Sequence, residues 1–129
     1  MTYLEKEIVL DWIGAGLLVL GAVVGTLNAA TGVGWGIIMV PVLFLIPGLT
    51  PQQAVAVSIF AYLFNSLVAS FENVRSGLIV WNYAVYLSIG AIVGGVLGAH
   101  LLQTFSALTL KRIVGALVIA AGANLLINR

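Results

Sequence analysis

Asn28-Ala29-Ala30-Thr31-Gly32-Val33-Gly34-Trp35-Gly36-Ile37-Ile38-Met39-Val40-Pro41 decides how this chain folds. Gly32, Gly34 and Gly36 stand at alternate positions inside a run, residues 12–46, that is otherwise overwhelmingly apolar. As one helix that run would be about 52 Å long, against a hydrocarbon core of about 30 Å. It therefore has to break, and glycine marks the place because it accepts backbone angles that other residues avoid. Unwound backbone at membrane depth is tolerated only where it is buried in protein or lines a wet cavity. Asn28, Thr31 and the indole N–H of Trp35 bring polar groups to the same break. The stretch predicts a discontinuous membrane segment whose exposed amides bind a ligand.

The rest of the composition agrees. The chain of 129 residues is 62% hydrophobic and 7% charged, with a mean hydropathy of +1.19. Water-soluble domains carry roughly a quarter charged residues, so this is an integral membrane protein of the all-α class. Its charges lie at the ends or in short polar breaks: Glu5, Lys6, Glu7 and Asp11, then Glu72 and Arg75, then Lys111 and Arg112, then Arg129. A net charge of +1 without any basic cluster argues against nucleic acid as a partner. With no cysteine, disulfides, thiolate metal sites and cysteine nucleophiles are excluded. The acidic N-terminus lacks the basic region of a cleaved signal peptide. One domain, 1–129, is expected.

In chain order, residues 1–11 read as a polar lead with Tyr3 and Trp12 as interfacial aromatics. Residues 12–30 span, with Gly14, Gly21 and Gly25 allowing close approach of neighbours. Residues 37–46 are too few to cross as a straight helix and read as a short broken or re-entrant element, with Pro41 near its first turn. Thr50, Pro51 and Gln53 form a capping-box start for a spanning helix over 52–71. A surface loop over 72–81, a span over 82–102, a Gln-Thr-Phe-Ser break and a span over 109–127 follow. The expected architecture is four transmembrane helices plus one short element. If 37–46 crosses, Lys6, Lys111 and Arg112 share one side and Arg75 and Arg129 the other; if not, Lys6, Arg75 and Arg129 oppose Lys111 and Arg112. Either way the division is three against two, which leaves orientation open.

A helix starting near Gly36 has unsatisfied first-turn amides and partial positive charge at its N-terminus, an arrangement suited to an anion. Close packing is the plainer use of the same glycines. No Lys-Ser/Thr follows to make a phosphate loop, and Ile37 breaks the dinucleotide fingerprint. Ser58, Asn65 and Glu72 recur every seven residues, with Tyr62 and Ser66 beside them, and so share one helical stripe. Hydrogen bonding between helices and lining of a pathway are both open for Asn65 and Ser66. Glu72 and Arg75 read as an interfacial ion pair, and His100 as a headgroup-level side chain. Gly90, Gly94 and Gly98, flanked by Ala91, Gly95 and Ala99, read as a ridge for close helix packing, as do Gly115, Gly122 and Asn124. One histidine, no cysteine and no acid inside a span assemble no catalytic constellation. An enzyme is not expected, nor any cofactor or metal.

Gly32-Val33-Gly34-Trp35-Gly36, four residues, Pro41 and then Ala54-Val55-Ala56-Val57-Ser58 resemble the TauE/SafE sulfite exporter family, whose half-signature runs approximately Gly-x-Gly-Gly-Gly-x-x-x-x-Pro and then Ala-x-Ala-Thr-Ser. Gly94-Gly95-Val96-Leu97-Gly98-Ala99 and Lys111-Arg112 add to the likeness, which covers essentially the whole chain. Trp35 stands where that family usually has glycine, and Val57 where it usually has threonine. Members are usually about twice this length, built from two related halves, and move sulfite, sulfonates and related anions across the bacterial or archaeal cytoplasmic membrane. The resemblance implies one half of a two-repeat transporter, a multi-pass protein of a prokaryotic cell membrane. The expected partners are a small anion, the lipid bilayer and a second copy or half-length paralogue, with substrate held where two units meet. The residues expected to line the site are Asn28, Thr31, Gly32, Gly34, Trp35, Gly36, Ser58 and Asn65. The alternative is a non-transporting membrane subunit or assembly protein that packs through its glycine ridges.

Overall fold

A computed structural model describes residues 2–32 and 34–128. Val33 of the glycine motif and Arg129 of the charge distribution lie outside the described residues. Five helices follow one another: α1 (Tyr3–Thr31), α2 (Trp35–Leu43), α3 (Pro51–Arg75), α4 (Trp81–Thr104) and α5 (Ala107–Ile127). All except α2 are long and apolar enough to cross a membrane. The chain is thus a multi-pass, all-helical membrane protein, as its composition requires.

The elements are longer than hydropathy alone indicated. The lead expected over 1–11 is helical from Tyr3, because Glu5, Lys6 and Glu7 are good helix formers and the Thr2 N–H donates to the Glu5 carboxylate at 3.1 Å. The loop expected over 72–81 shrinks for a similar reason. α3 runs on through Glu72 to Arg75, and only residues 76–80 connect it to α4. The Gln-Thr-Phe-Ser break reduces to Phe105 and Ser106, the latter capping α5 by accepting from the Thr109 N–H at 3.2 Å.

α2 is the short element, and it starts at Trp35 rather than 37. Pro41 lies in its second half, not in its first turn, and the helix ends two residues later at Leu43. That placement is where a missing N–H shortens a helix rather than starting one. Short as it is, α2 is the centre of the core. Trp35, Met39, Val40 and Leu43 are all buried, and Trp35, Met39 and Leu43 form the i, i+4, i+8 stripe of one helical face. They meet Val24 of α1 and Ala54 of α3, with Leu17, Leu20, Leu49 and Ala61 packed around them.

These contacts give the direction of α2. Trp35 lies against Gly21 and Gly25 of α1, ten and more residues back along the sequence, so α2 runs back alongside α1. Asn65 of α3 meets Gly25 and Asn28 of α1, while the Gln52 amide at the start of α3 donates to the Phe105 carbonyl between α4 and α5 at 2.9 Å. Lys111, in the second turn of α5, stands over the Phe44 ring at the exit of α2. The end of α2, the start of α3 and the α4–α5 corner therefore share one end of the bundle. α2 thus runs back along α1 to the level of Leu17 and Leu20.

The start of α3 is built as its sequence indicated. Gln53 N–H donates to Thr50 Oγ1 at 3.2 Å, and Thr50 N–H to Gln53 Oε1 at 2.9 Å. Thr50→Ala is expected to cost about 1 kcal/mol, read as a lowered unfolding midpoint in detergent. Glu72 and Arg75 form the expected pair, 3.6 Å apart with both side chains about two-thirds exposed. Glu72→Gln is expected to move that midpoint by less than the Thr50 change, because exposed pairs contribute about 0–1 kcal/mol.

One packing expectation fails within the chain. No atom lies within 4 Å of a methyl group built on Gly90, Gly94, Gly95 or Gly98, and α4 has no buried residue. Its ridge of small side chains meets no other described helix closely. Gly115 and Gly122 of α5 are equally open. Asn124 bonds only locally, to Asn128.

Candidate anion site at the break between α1 and α2

The break is made by two backbone events. Gly32 closes α1 in the left-handed region, φ 69°, with its N–H donating to the Asn28 carbonyl at 2.8 Å. A side chain there would be strained, so glycine is required. Gly34 then precedes the first turn of α2, where the Ile37 N–H folds back onto the Gly34 carbonyl at 3.1 Å. The amides of Trp35 and Gly36 belong to the opening turn and have no acceptor within the helix. Gly32, Gly34 and Gly36 are exposed, and a methyl group on Gly36 would find its nearest neighbour at 3.9 Å. The mouth of the break is open.

Trp35 occupies the inner side. Only 6% of it is accessible, and its Nε1–H is a buried side-chain donor with no partner among the described residues. An unsatisfied buried donor costs about 1–3 kcal/mol, so an indole N–H held in this way calls for an acceptor. The benzo edge of the ring packs on α1: Cζ3 is 3.6 Å from where a Cβ on Gly25 would stand, and Cη2 is 4.0 Å from one on Gly21. The pyrrole N–H is on the far side of the ring system from Cζ3. Gly21 and Gly25 thus make room for a side chain, not for another helix backbone.

Asn65 reaches the same place from α3. Its Nδ2 donates to the Gly25 carbonyl at 3.2 Å, and its Oδ1 accepts from Asn28 Nδ2 at 2.8 Å. Hydrogen bonding between helices, one of the two uses left open by the sequence, is therefore what Asn65 does. The other predicted residues divide. Ser58 is buried on the face of α3 that carries Ala54 against α2. Thr31 turns its hydroxyl onto the Leu27 carbonyl of its own helix at 2.6 Å. Ser66 does likewise with the Leu63 carbonyl. Tyr62 is largely exposed.

Asn28, Trp35 and Asn65 are thus brought together around Gly25, with the open glycines of the break beside them. Sequence reasoning missed Gly25 as the hub, because its partner Asn65 lies 40 residues away and no local pattern links them. The chemistry offered is that of N–H donors and a helix N-terminus, with no formal cation among the site residues. Such a site suits an anion that has to be released again. A separate groove of about 980 Å³ opens between α3 and α4, lined by Ile59, Phe60, Leu63, Gly95 and Gly98 among others. None of the predicted site residues lines it, and its walls are apolar.

Comparison with known proteins bears on the same stretch. The family described as Sulfite exporter TauE/SafE matches residues 17–129, which include the break. The chain is 36% identical over 104 residues to the probable membrane transporter protein YunE of Bacillus subtilis, covering 81% of this chain and 38% of that protein. It is 34% identical over 116 residues to the probable membrane transporter protein MamO of Magnetospirillum gryphiswaldense, covering 84% and 18%. The probable membrane transporter protein YtnM of Bacillus subtilis is 29% identical over 112 residues, covering 84% and 37%. The chain thus spans well under half the length of each. No solved structure matches it.

Proposed function

The chain belongs to the sulfite exporter TauE/SafE family, and from that premise we propose that it is a transporter unit carrying a small sulfur-containing anion, sulfite or a sulfonate, across the cytoplasmic membrane. The observation that carries this reading is the buried, unpartnered indole N–H of Trp35 in the first turn of α2. The break supplies amides and partial positive charge at an open mouth, with one extra donor buried on its inner side. In this reading the amides of Trp35 and Gly36 and the indole N–H hold the anion. Gly32 and Gly34 keep the approach free of side chains. Asn28 and Asn65 form the wall, Ser58 lies below it, and Thr31 sits at the rim.

One unit of five helices does not enclose a wet pathway, and repeat-built transporters hold substrate where two halves meet. We place the anion between two such units, in a homodimer or with a second half-length paralogue, the breaks facing each other. We take the α2 leg together with residues 44–50 as one further crossing, so that the bundle is crossed an odd number of times. A second unit joined directly to this one would insert the other way up, as inverted repeats do.

The test is uptake by proteoliposomes of labelled sulfite, sulfate, a small sulfonate, chloride and sodium, with Gly36→Leu alongside. Gly36 has room for a side chain, so the variant folds and blocks the mouth. Saturable flux of a sulfur anion, lost in Gly36→Leu, is the expected result. Sodium flux would replace the anion reading with a cation one. No flux from folded protein would favour a subunit that packs through the unpartnered glycine ridge of α4.

A further inference from the structure

The groove between α3 and α4 has apolar walls and one polar end. Gln52, Gln53 and Gln103 line that end at the α4–α5 corner, where Gln52 Nε2 donates to the Phe105 carbonyl. From there the groove runs between Ile59, Phe60 and Leu63 of α3 and Gly95, Gly98 and Ala99 of α4. The glycines keep it open, since nothing lies within 4 Å of a Cβ built on Gly95 or Gly98. The corner joins two helices long and apolar enough to cross a membrane. Its polar end therefore lies at a membrane surface, and the apolar part extends towards the bilayer centre.

The length of the groove fits one leaflet. From Gln52 to Leu63 it follows about 16 Å of α3, against about 15 Å for half of the hydrocarbon core. A membrane-spanning helix of another subunit would need a trough along all of α3, about 37 Å. An acyl chain needs one only from the surface to the midplane.

The charges at the polar end complement a phosphate. Lys111 and Arg112 directly follow Leu110, which lines the groove, and both are exposed. Lys111 Nζ stands 5.9 Å from the centroid of the Phe44 ring. No acid occurs between Asp11 and Glu72 or after Glu72, and among the described residues the ion pair is Glu72–Arg75. Neither cation is neutralised by a carboxylate. Basic side chains beside an opening between membrane helices attract anionic headgroups. A second copy lying alongside in the same orientation would instead bring two more cations to this end, an unfavourable match.

We infer that this groove binds an anionic phospholipid, one acyl chain lying between α3 and α4 and the headgroup phosphate held by Lys111 and Arg112. The site is separate from the break between α1 and α2 and does not depend on the transport reading.

Dioleoyl phosphatidylglycerol and dioleoyl phosphatidylcholine carry the same chains and differ in headgroup charge. Each is titrated into the full chain in detergent, with bound lipid counted by native mass spectrometry. The first is expected to bind at least about tenfold more tightly, a factor that two cations near the phosphate supply. Lys111→Gln with Arg112→Gln should bring the two affinities together. Gly98→Leu fills the groove and should remove tight phosphatidylglycerol binding, whereas Gly90→Leu, on the same helix but outside the groove, should retain it. Glycerol 3-phosphate, which has no chains, should bind far more weakly than the lipid. Equal binding of the two lipids, binding of glycerol 3-phosphate as tight as that of phosphatidylglycerol, or tight lipid binding that survives Gly98→Leu overturns the inference. A dimer that Gly98→Leu abolishes while lipid binding persists overturns it too, and gives the groove to a second copy.

Discussion

Gly25→Val is expected to abolish both stable folding of the α1–α2–α3 core and transport. A Cβ alone at this position would lie 2.9 Å from Asn65 Nδ2 and 3.6 Å from Trp35 Cζ3. Neither neighbour has an easy retreat. Asn65 is held by the Gly25 carbonyl and by Asn28, and Trp35 is packed in the core cluster with Val24, Met39 and Leu43. Overpacking typically costs about 1–3 kcal/mol. Breaking the amide chain adds about 1–3 kcal/mol for the donors and acceptors left unpaired. Gly25→Ala should show the smaller effect, a lowered unfolding midpoint in detergent with residual flux, and Gly25→Val the larger. Gly14→Val, where no atom lies within 4 Å of the new Cβ, is the matched control and should change little. Equal effects at positions 14 and 25 would refute the role given to Gly25.

Trp35→Phe separates stability from binding. Phenylalanine keeps an aromatic ring against Gly21 and Gly25 but removes the one buried side-chain donor that has no partner among the described residues. Deleting an unsatisfied buried donor while keeping an apolar ring is nearly neutral or stabilising, whereas removing a donor that meets an anion costs affinity. Charge-assisted bonds contribute about 1.5–3 kcal/mol, a loss of roughly 10- to 150-fold in affinity. The variant should therefore unfold at a temperature no lower than the parent protein and bind sulfite at least about tenfold more weakly. Ordinary packing tryptophans behave the other way, losing stability without losing a ligand.

What was legible in the sequence follows from length scales. The break over Gly32–Gly36 could be read because a 35-residue apolar run does not fit a bilayer as one helix. The Thr50–Gln53 start was legible because a capping box lies within four residues. Element ends were not, since Glu5–Glu7 and Glu72–Arg75 are polar to a hydropathy reading yet good helix formers. Pro41 was misplaced because the start of α2 had been set by hydropathy rather than by Gly34. The fate of the α2 leg needed contacts between Trp35 and Gly21, and between Gln52 and Phe105, that no local pattern encodes. The family signature marks Trp35 as a departure from glycine. What the structure adds is that Gly21 and Gly25 supply the space the indole takes.

The most direct test of the anion site is a crystal of the full chain grown with selenite, the heavier analogue of sulfite, with selenium located by anomalous diffraction. A selenium peak at the first turn of α2, with an oxygen within hydrogen-bond distance of Trp35 Nε1, is the result this account predicts. A peak confined to the groove between α3 and α4, or none at the break in crystals of transport-competent protein, would contradict it.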